Sequence, residues 1–97
     1  MDKQFYVYIM SNIKNTVLYT GVTNNIVARV LQHKAKQIEG FTKKYNCIKL
    51  LWFEQTDDVA SAIQGEKRIK KWKRVYKENL IKEKNPNWED LAKDWDE

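Results

Sequence analysis

Phe5-Tyr6-Val7-Tyr8-Ile9-Met10-Ser11, followed by Asn12-Ile13-Lys14-Asn15 and then by Val17-Leu18-Tyr19-Thr20-Gly21-Val22-Thr23, is the stretch that decides the fold. Its first segment is aromatic, β-branched and apolar, which suits a pleated surface and predicts a strand with Phe5, Val7 and Ile9 on one face. Val17 to Thr23 reads as a second strand. Asn12 to Asn15 supplies a four-residue hairpin loop between them. With that loop, Tyr8 and Tyr19 are equidistant from its centre and pair directly, their β-carbons about 5 Å apart on one face of the sheet.

Working outward, Asn24 is a suitable N-cap for a helix running to about Ile38, whose apolar positions Val27, Val30, Leu31 and Ile38 form one stripe. Gly40 to Asn46 reads as a loop. Cys47 to Gln55 is a near-continuous apolar run and predicts a buried strand. Thr56-Asp57-Asp58 caps a second helix from Val59 to about Trp72, and a third runs from about Arg74 to Lys84. Asn85-Pro86-Asn87 ends it. Trp88 to Trp95 adds a helical turn or two. The expected architecture is α+β: a small, three-stranded, largely antiparallel sheet flanked by helices in the order β-β-α-β-α-α. Residues 1–97 form one domain, with an acidic extension at 85–97 packed on it.

The net charge of +5 is unevenly spread. Residues 67–84 carry a balance of +7, residues 85–97 one of −4, and the remainder only +2. A concentrated basic segment is the footprint of a polyanion binder, or else a solvated helix face. Lys70, Lys73, Arg74 and Lys77 are its candidate phosphate contacts. Lys34, Lys43 and Lys44, with Lys36, are the alternative surface. No run of about eighteen apolar residues is present, so no membrane span is expected. Met1-Asp2-Lys3-Gln4-Phe5 does not read as a signal peptide. Cys47 is the one cysteine, which excludes an intrachain disulfide and a cysteine-based metal site. A cytoplasmic location is expected.

Glu66 stands out in the helix that begins at Val59, because it falls between Ala62 and Ile63 on one side and Ile69 on the other. A carboxylate on an inward stripe is costly unless it is paired or holds a cation. Mg²⁺ often takes only one or two protein carboxylates, with phosphate oxygens and water completing its shell. The competing explanation is an i,i+4 ion pair with Lys70. Gly65 beside it suggests close approach of another group to this turn. Arg29 and His33 lie one turn apart on the flank of the first helix's stripe. Arginine suits charge stabilisation on phosphate, and the single histidine suits a phosphate contact or a proton relay. A phenol such as Tyr8 or Tyr19 needs a cation nearby before it can act as a base. Gly21 suggests room for a substrate backbone at the strand end.

These residues, in this order, resemble the GIY-YIG nuclease superfamily, and in particular its small free-standing YhbQ-like branch. Tyr6-Val7-Tyr8 stands at the first signature and Tyr19-Thr20-Gly21 at the second. Arg29, His33 and Glu66 match the superfamily's helix arginine, following histidine and metal-binding glutamate. Asn79, in Lys77-Glu78-Asn79-Leu80-Ile81, matches a polar residue on the next helix. The resemblance implies single-metal hydrolysis of a phosphodiester, with one Mg²⁺ or Mn²⁺ on Glu66. Tyr8 would orient or deprotonate the attacking water, helped by Tyr19. Arg29 and His33 would act at the phosphate, and Asn79 would position. It further implies a nucleic-acid partner, DNA ahead of RNA, recognised by structure rather than by a long base sequence. The rival expectation is a nucleic-acid-binding module that keeps the scaffold but cleaves little or nothing.

Overall fold

A computed structural model describes residues 3–96; the signal-peptide reading of Met1 and Asp2, and Glu97, lie outside the described residues. Three strands, β1 (Phe5–Ser11), β2 (Leu18–Thr23) and β3 (Lys49–Thr56), form one antiparallel sheet in the order β2-β1-β3. The helices are α1 (Ile26–Lys34), a four-residue α2 (Phe41–Lys44), α3 (Val59–Lys71) and α4 (Arg74–Lys84). The expected α+β architecture is present, with α2 as an added element where a loop was expected. Residues 88–95, expected to be helical, form turns only. Among the described residues no helix is long and apolar enough to cross a membrane.

β1 is the central strand, and both of its faces are covered. Val7 and Ile9 face a core of Leu51, Trp52, Ala62, Ile69 and Ile81 under α3 and α4. Tyr8 and Met10 face the opposite core of Ile26, Val30, Cys47, Leu50 and Ala92. β3 breaks the usual alternation. Ile9 pairs with Trp52 but Met10 pairs with Leu50, so Leu51 is the extra residue of a β-bulge. The bulge lets the consecutive side chains of Leu51 and Trp52 enter the same core, which accounts for the apolar run in this strand.

The hairpin differs from expectation by two residues. Ser11 pairs with Leu18, Met10 with Tyr19 and Tyr8 with Gly21, so Tyr8 and Tyr19 are diagonal neighbours rather than direct partners. Asn12 is the cause. Its Oδ1 accepts from the amides of Thr16 at 2.9 Å and Val17 at 3.1 Å. Those amides are thereby drawn into the loop, and Asn15 turns the chain at φ 60°. A slip of two residues keeps every side chain on its original face, so the two tyrosines still share one.

α1 also starts and ends elsewhere than expected. Asn25, not Asn24, is the N-cap, its side chain accepting from the Ala28 amide. The helix stops at Lys34, four residues short of Ile38. Lys36, at φ 57°, donates to the His33 carbonyl, and Gln37 donates to that of Gln32. This pair of bonds is a Schellman ending, with a lysine where glycine is usual. The buried stripe is Ile26, Val30 and His33, at i, i+4 and i+7. His33 therefore points inward rather than along the flank.

The acidic extension is built into the fold. Asp90 Oδ1 accepts from the Leu50 and Ala92 amides, each at 3.0 Å, and the Leu91 amide donates to the Leu50 carbonyl at 2.8 Å. Asn85 is buried, donating to the carbonyls of Leu51 and Glu89. The segment thus satisfies the outer edge of β3.

Candidate active site

Tyr8, Tyr19 and His33 form one aromatic cluster on the α1 side of the sheet. Ring centroids are 6.2 Å apart for Tyr8–Tyr19, 5.7 Å for Tyr8–His33 and 5.6 Å for Tyr19–His33. The ring of Tyr8 lies across β2 at its partner Gly21, where an added Cβ would stand 2.5 Å from Tyr8 Cζ and Oη. The space at Gly21 is therefore filled by the chain's own tyrosine and not left for a substrate, correcting the reading of that glycine.

Beneath the cluster runs a buried polar chain. Tyr8 Oη and His33 Nε2 are 2.8 Å apart, and His33 Nδ1 and Thr42 Oγ1 are 2.9 Å apart. Both ring nitrogens of His33 are thus engaged inside the protein, and the residue is buried. Its two ring nitrogens face Tyr8 and Thr42. Burial, and then the charge of Arg29, pulls His33 down to about 4, so its imidazole is neutral at physiological pH. Burial pushes the Tyr8 phenol well above its ordinary range, and Tyr19 and Glu66 add to this. Arg29 pulls the other way through its charge.

α2 supplies the part that sequence reasoning missed. Thr42 is buried against His33, and Phe41 stacks on Tyr19 with centroids 5.9 Å apart. Only the i+9 spacing of Thr42 from His33 hints at this, and it requires the chain reversal at Lys36 to bring the two together.

Glu66 reaches the cluster from α3. The buried stripe of α3 is Ala62, Gly65 and Ile69, so Glu66 flanks it and Ile63 is exposed, a correction to the expected inward position. Its side chain is 16% exposed, and its Oε2 lies 3.4 Å from Lys70 Nζ. Lys70 in turn sits 6.0 Å from the centre of the Tyr19 ring. The ion pair and the site are therefore the same feature. Gly65 is approached only by ordinary contacts, the nearest being Val7 Cγ2 at 3.6 Å, so it marks helix-on-sheet packing.

A hard divalent cation would find one carboxylate here, Glu66, partly exposed and loosely paired with Lys70. Among the described residues no group of three or more His, Cys, Asp and Glu could hold a metal. A cation at Glu66 would need water and phosphate oxygens for most of its shell.

The remaining candidates divide. Lys34 is committed to an ion pair with Asp90. Burial raises that carboxyl, but the Lys34 hydrogen bond and the Leu50 and Ala92 amides outweigh it and hold Asp90 below its ordinary value. Arg74 donates to the carbonyls of Asn15 and Thr16 and pairs with Glu78, so it braces α4 against the hairpin loop. Both side chains are thus engaged within the fold. Lys43 pairs with Glu39 on the surface, and Lys44 lies over the Tyr45 ring. Lys73 and Lys77 carry no carboxylate partner among the described residues. Asn79 borders a groove on α4 with Trp72, Tyr76, Leu80 and Glu83, apart from the tyrosine–histidine cluster. Cys47 is buried, and burial raises its thiol to about 11, which leaves it unreactive.

Comparison with known proteins bears on this arrangement. Residues 4–86 match the model of the GIY-YIG catalytic domain. A UPF0213 protein of Natronomonas pharaonis is 36% identical over 81 residues, covering 84% of this chain and 94% of that protein. One from Syntrophus aciditrophicus is 39% identical over 82 residues, covering 84% and 92%. The solution NMR structure of a UPF0213 protein from Bacillus halodurans superposes with a TM-score of 0.58 at 22% identity, covering 96% of this chain and 99% of that one. That likeness is one of fold. With the domain match spanning most of its length, the chain belongs to the GIY-YIG family of nuclease domains.

Proposed function

We propose that this protein is a divalent-metal-dependent endonuclease that hydrolyses nucleic-acid phosphodiesters, DNA ahead of RNA, in the cytoplasm. One observation supports this most: Tyr8, Tyr19, Arg29 and His33 converge at the β2 edge, with Glu66 held beside them by Lys70. Arg29 is the natural group for the phosphate, because its charge is permanent and its fork matches two phosphate oxygens. Tyr8 orients the attacking water, and neutral His33, itself held by Thr42, fixes the phenol in place. Tyr19, half-buried above the chain, holds the water against Tyr8. A Mg²⁺ or Mn²⁺ at Glu66 would polarise the phosphoryl group and favour the phenolate form of a nearby tyrosine.

A second reading has one observation of its own. Tyr8 is fully enclosed, at 0% exposure, and a binding module that keeps the scaffold without cleaving would show the same. Incubation of the purified protein with branched, single-stranded and duplex substrates, in Mg²⁺, Mn²⁺ or EDTA, separates the two. Metal-dependent cuts near a junction support the endonuclease; retention of substrate with no cut under any condition supports the module.

A further inference from the structure

The groove on α4 is unused by the chemistry above. It is about 380 Å³, lined by Trp72, Tyr76, Asn79, Leu80 and Glu83. Tyr76 is 56% exposed and Val75 beside it 51% exposed, on a helix otherwise dominated by charge. Neither packs into the core, although α4 buries Ile81 and packs Leu80 against the core, as Trp72 does before it. An exposed tyrosine at the mouth of an apolar groove stabilises nothing in the folded chain, and it offers a flat π-face.

The charge around the groove indicates what covers it. Lys73 lies one turn before Tyr76 on the same side of α4, and Lys77 and Lys84 follow on the adjacent side. They belong to the segment with a balance of +7. Inside, the groove carries no cation and one carboxylate, Glu83, so a phosphate is repelled from its floor and drawn to its rim. The occupant is therefore an apolar, planar group attached to an anionic backbone. Asn79 adds an amide that can both donate and accept at such a group's edge. Trp72, on the groove's wall, follows α3 directly.

We propose that this groove is a stacking subsite for an unpaired nucleobase, so that the protein engages single-stranded segments. Bases within a duplex are stacked on their neighbours and cannot enter. The preference for nucleic-acid structure then comes from Tyr76, and Asn79 is a recognition residue of this subsite. The proposal rests on the endonuclease reading for its biological meaning, but its test is of binding alone.

Fluorescence anisotropy in EDTA, with a single-stranded oligonucleotide and a duplex of equal length, would compare the parent with Tyr76→Ala and Tyr76→Phe. Stacking on one aromatic side chain corresponds to about 5- to 150-fold in affinity. Tyr76→Ala is expected to weaken single-strand binding by that factor, to change duplex binding less than twofold and to leave the salt dependence unaltered, since no cation is lost. Tyr76→Phe keeps the ring and should restore binding. Equal losses on both substrates, or no loss on either, would overturn the subsite while leaving the endonuclease reading standing. A parent protein that binds neither substrate overturns both. Sedimentation of the free protein supplies the remaining outcome: a dimer that Tyr76→Ala converts to monomer would assign the groove to a second copy of the chain and overturn the proposal.

Discussion

Replacing Gly21 by alanine adds a single methyl group, and the structure states what it would meet. The new Cβ would lie 2.5 Å from both Cζ and Oη of Tyr8. Carbon atoms pack comfortably at about 3.5–4.0 Å, so the ring must retreat by roughly 1 Å. It is the far end of a side chain, yet it is wholly enclosed and cannot swing into solvent. A retreat of that size is enough to break the 2.8 Å bond between Tyr8 and His33. Overpacking of this kind costs about 1–3 kcal/mol, and misplacing a reacting group by about 1 Å can cost 10²-fold in rate. The expected result is a variant that folds with a lowered melting temperature and cleaves about a hundredfold more slowly at saturating substrate. Gly65→Ala is the matched control. Its Cβ would meet only Val7 Cγ2 at 3.6 Å and an Arg68 nitrogen at 3.9 Å, beside a small cavity lined by Val7, Trp52 and Ala62. Since glycine costs about 1 kcal/mol in a helix interior, that variant should gain stability and keep its rate. Parental rate and stability in Gly21→Ala would refute the assignment of this glycine to the Tyr8 ring.

Glu66→Gln keeps the size of the side chain and removes its charge; cleavage should be lost while substrate binding and thermal stability change little, and a variant that cuts at the parental rate would dismiss the metal assignment. Tyr8→Phe should slow cleavage more than Tyr19→Phe. It should also cost about 1–3 kcal/mol of stability, because His33 Nε2 loses its partner inside the protein; equal and small effects in urea titrations and rate assays would mean that both rings only pack. His33 resists protonation until about pH 4, whereas the unfolded chain takes up that proton near 6.5. The unfolded state then binds more protons across that window, so stability should fall as pH drops from 6.5 to 4, by up to about 1.4 kcal/mol per pH unit. Urea melts of His33→Gln should show a shallower fall over the same range, and an unchanged slope would place the titration elsewhere.

What was legible in the sequence is the part governed by local patterning. The strand of Phe5 to Ser11, the span of Arg74 to Lys84 and the shared face of the two tyrosines follow from periodicities that the structure preserves. The hairpin register did not, because it depends on where one side chain, Asn12, directs its oxygen. His33 looked peripheral because the stripe was phased on Val27 and Leu31, whereas burial of Ile26 against the sheet rotates the helix and carries His33 inward. Thr42 and Phe41 join the site only through the turn at Lys36, and Lys34 meets an aspartate 56 positions away. Contacts of that kind leave no periodic trace.

The segment after Asn85 separates two boundaries that are easily taken for one. The match to the catalytic domain ends at residue 86, and every proposed catalytic residue lies before that point. A chain cut there would keep its chemistry on paper and lose the groups that close the outer edge of β3, the carboxylate of Asp90 and the amide of Leu91. Lys34 would regain a free charge at the same stroke. The bare strand edge would be a template for adding a strand from another molecule. Shortening the protein to residues 4–86 would therefore leave the outer edge of β3 open and favour self-association.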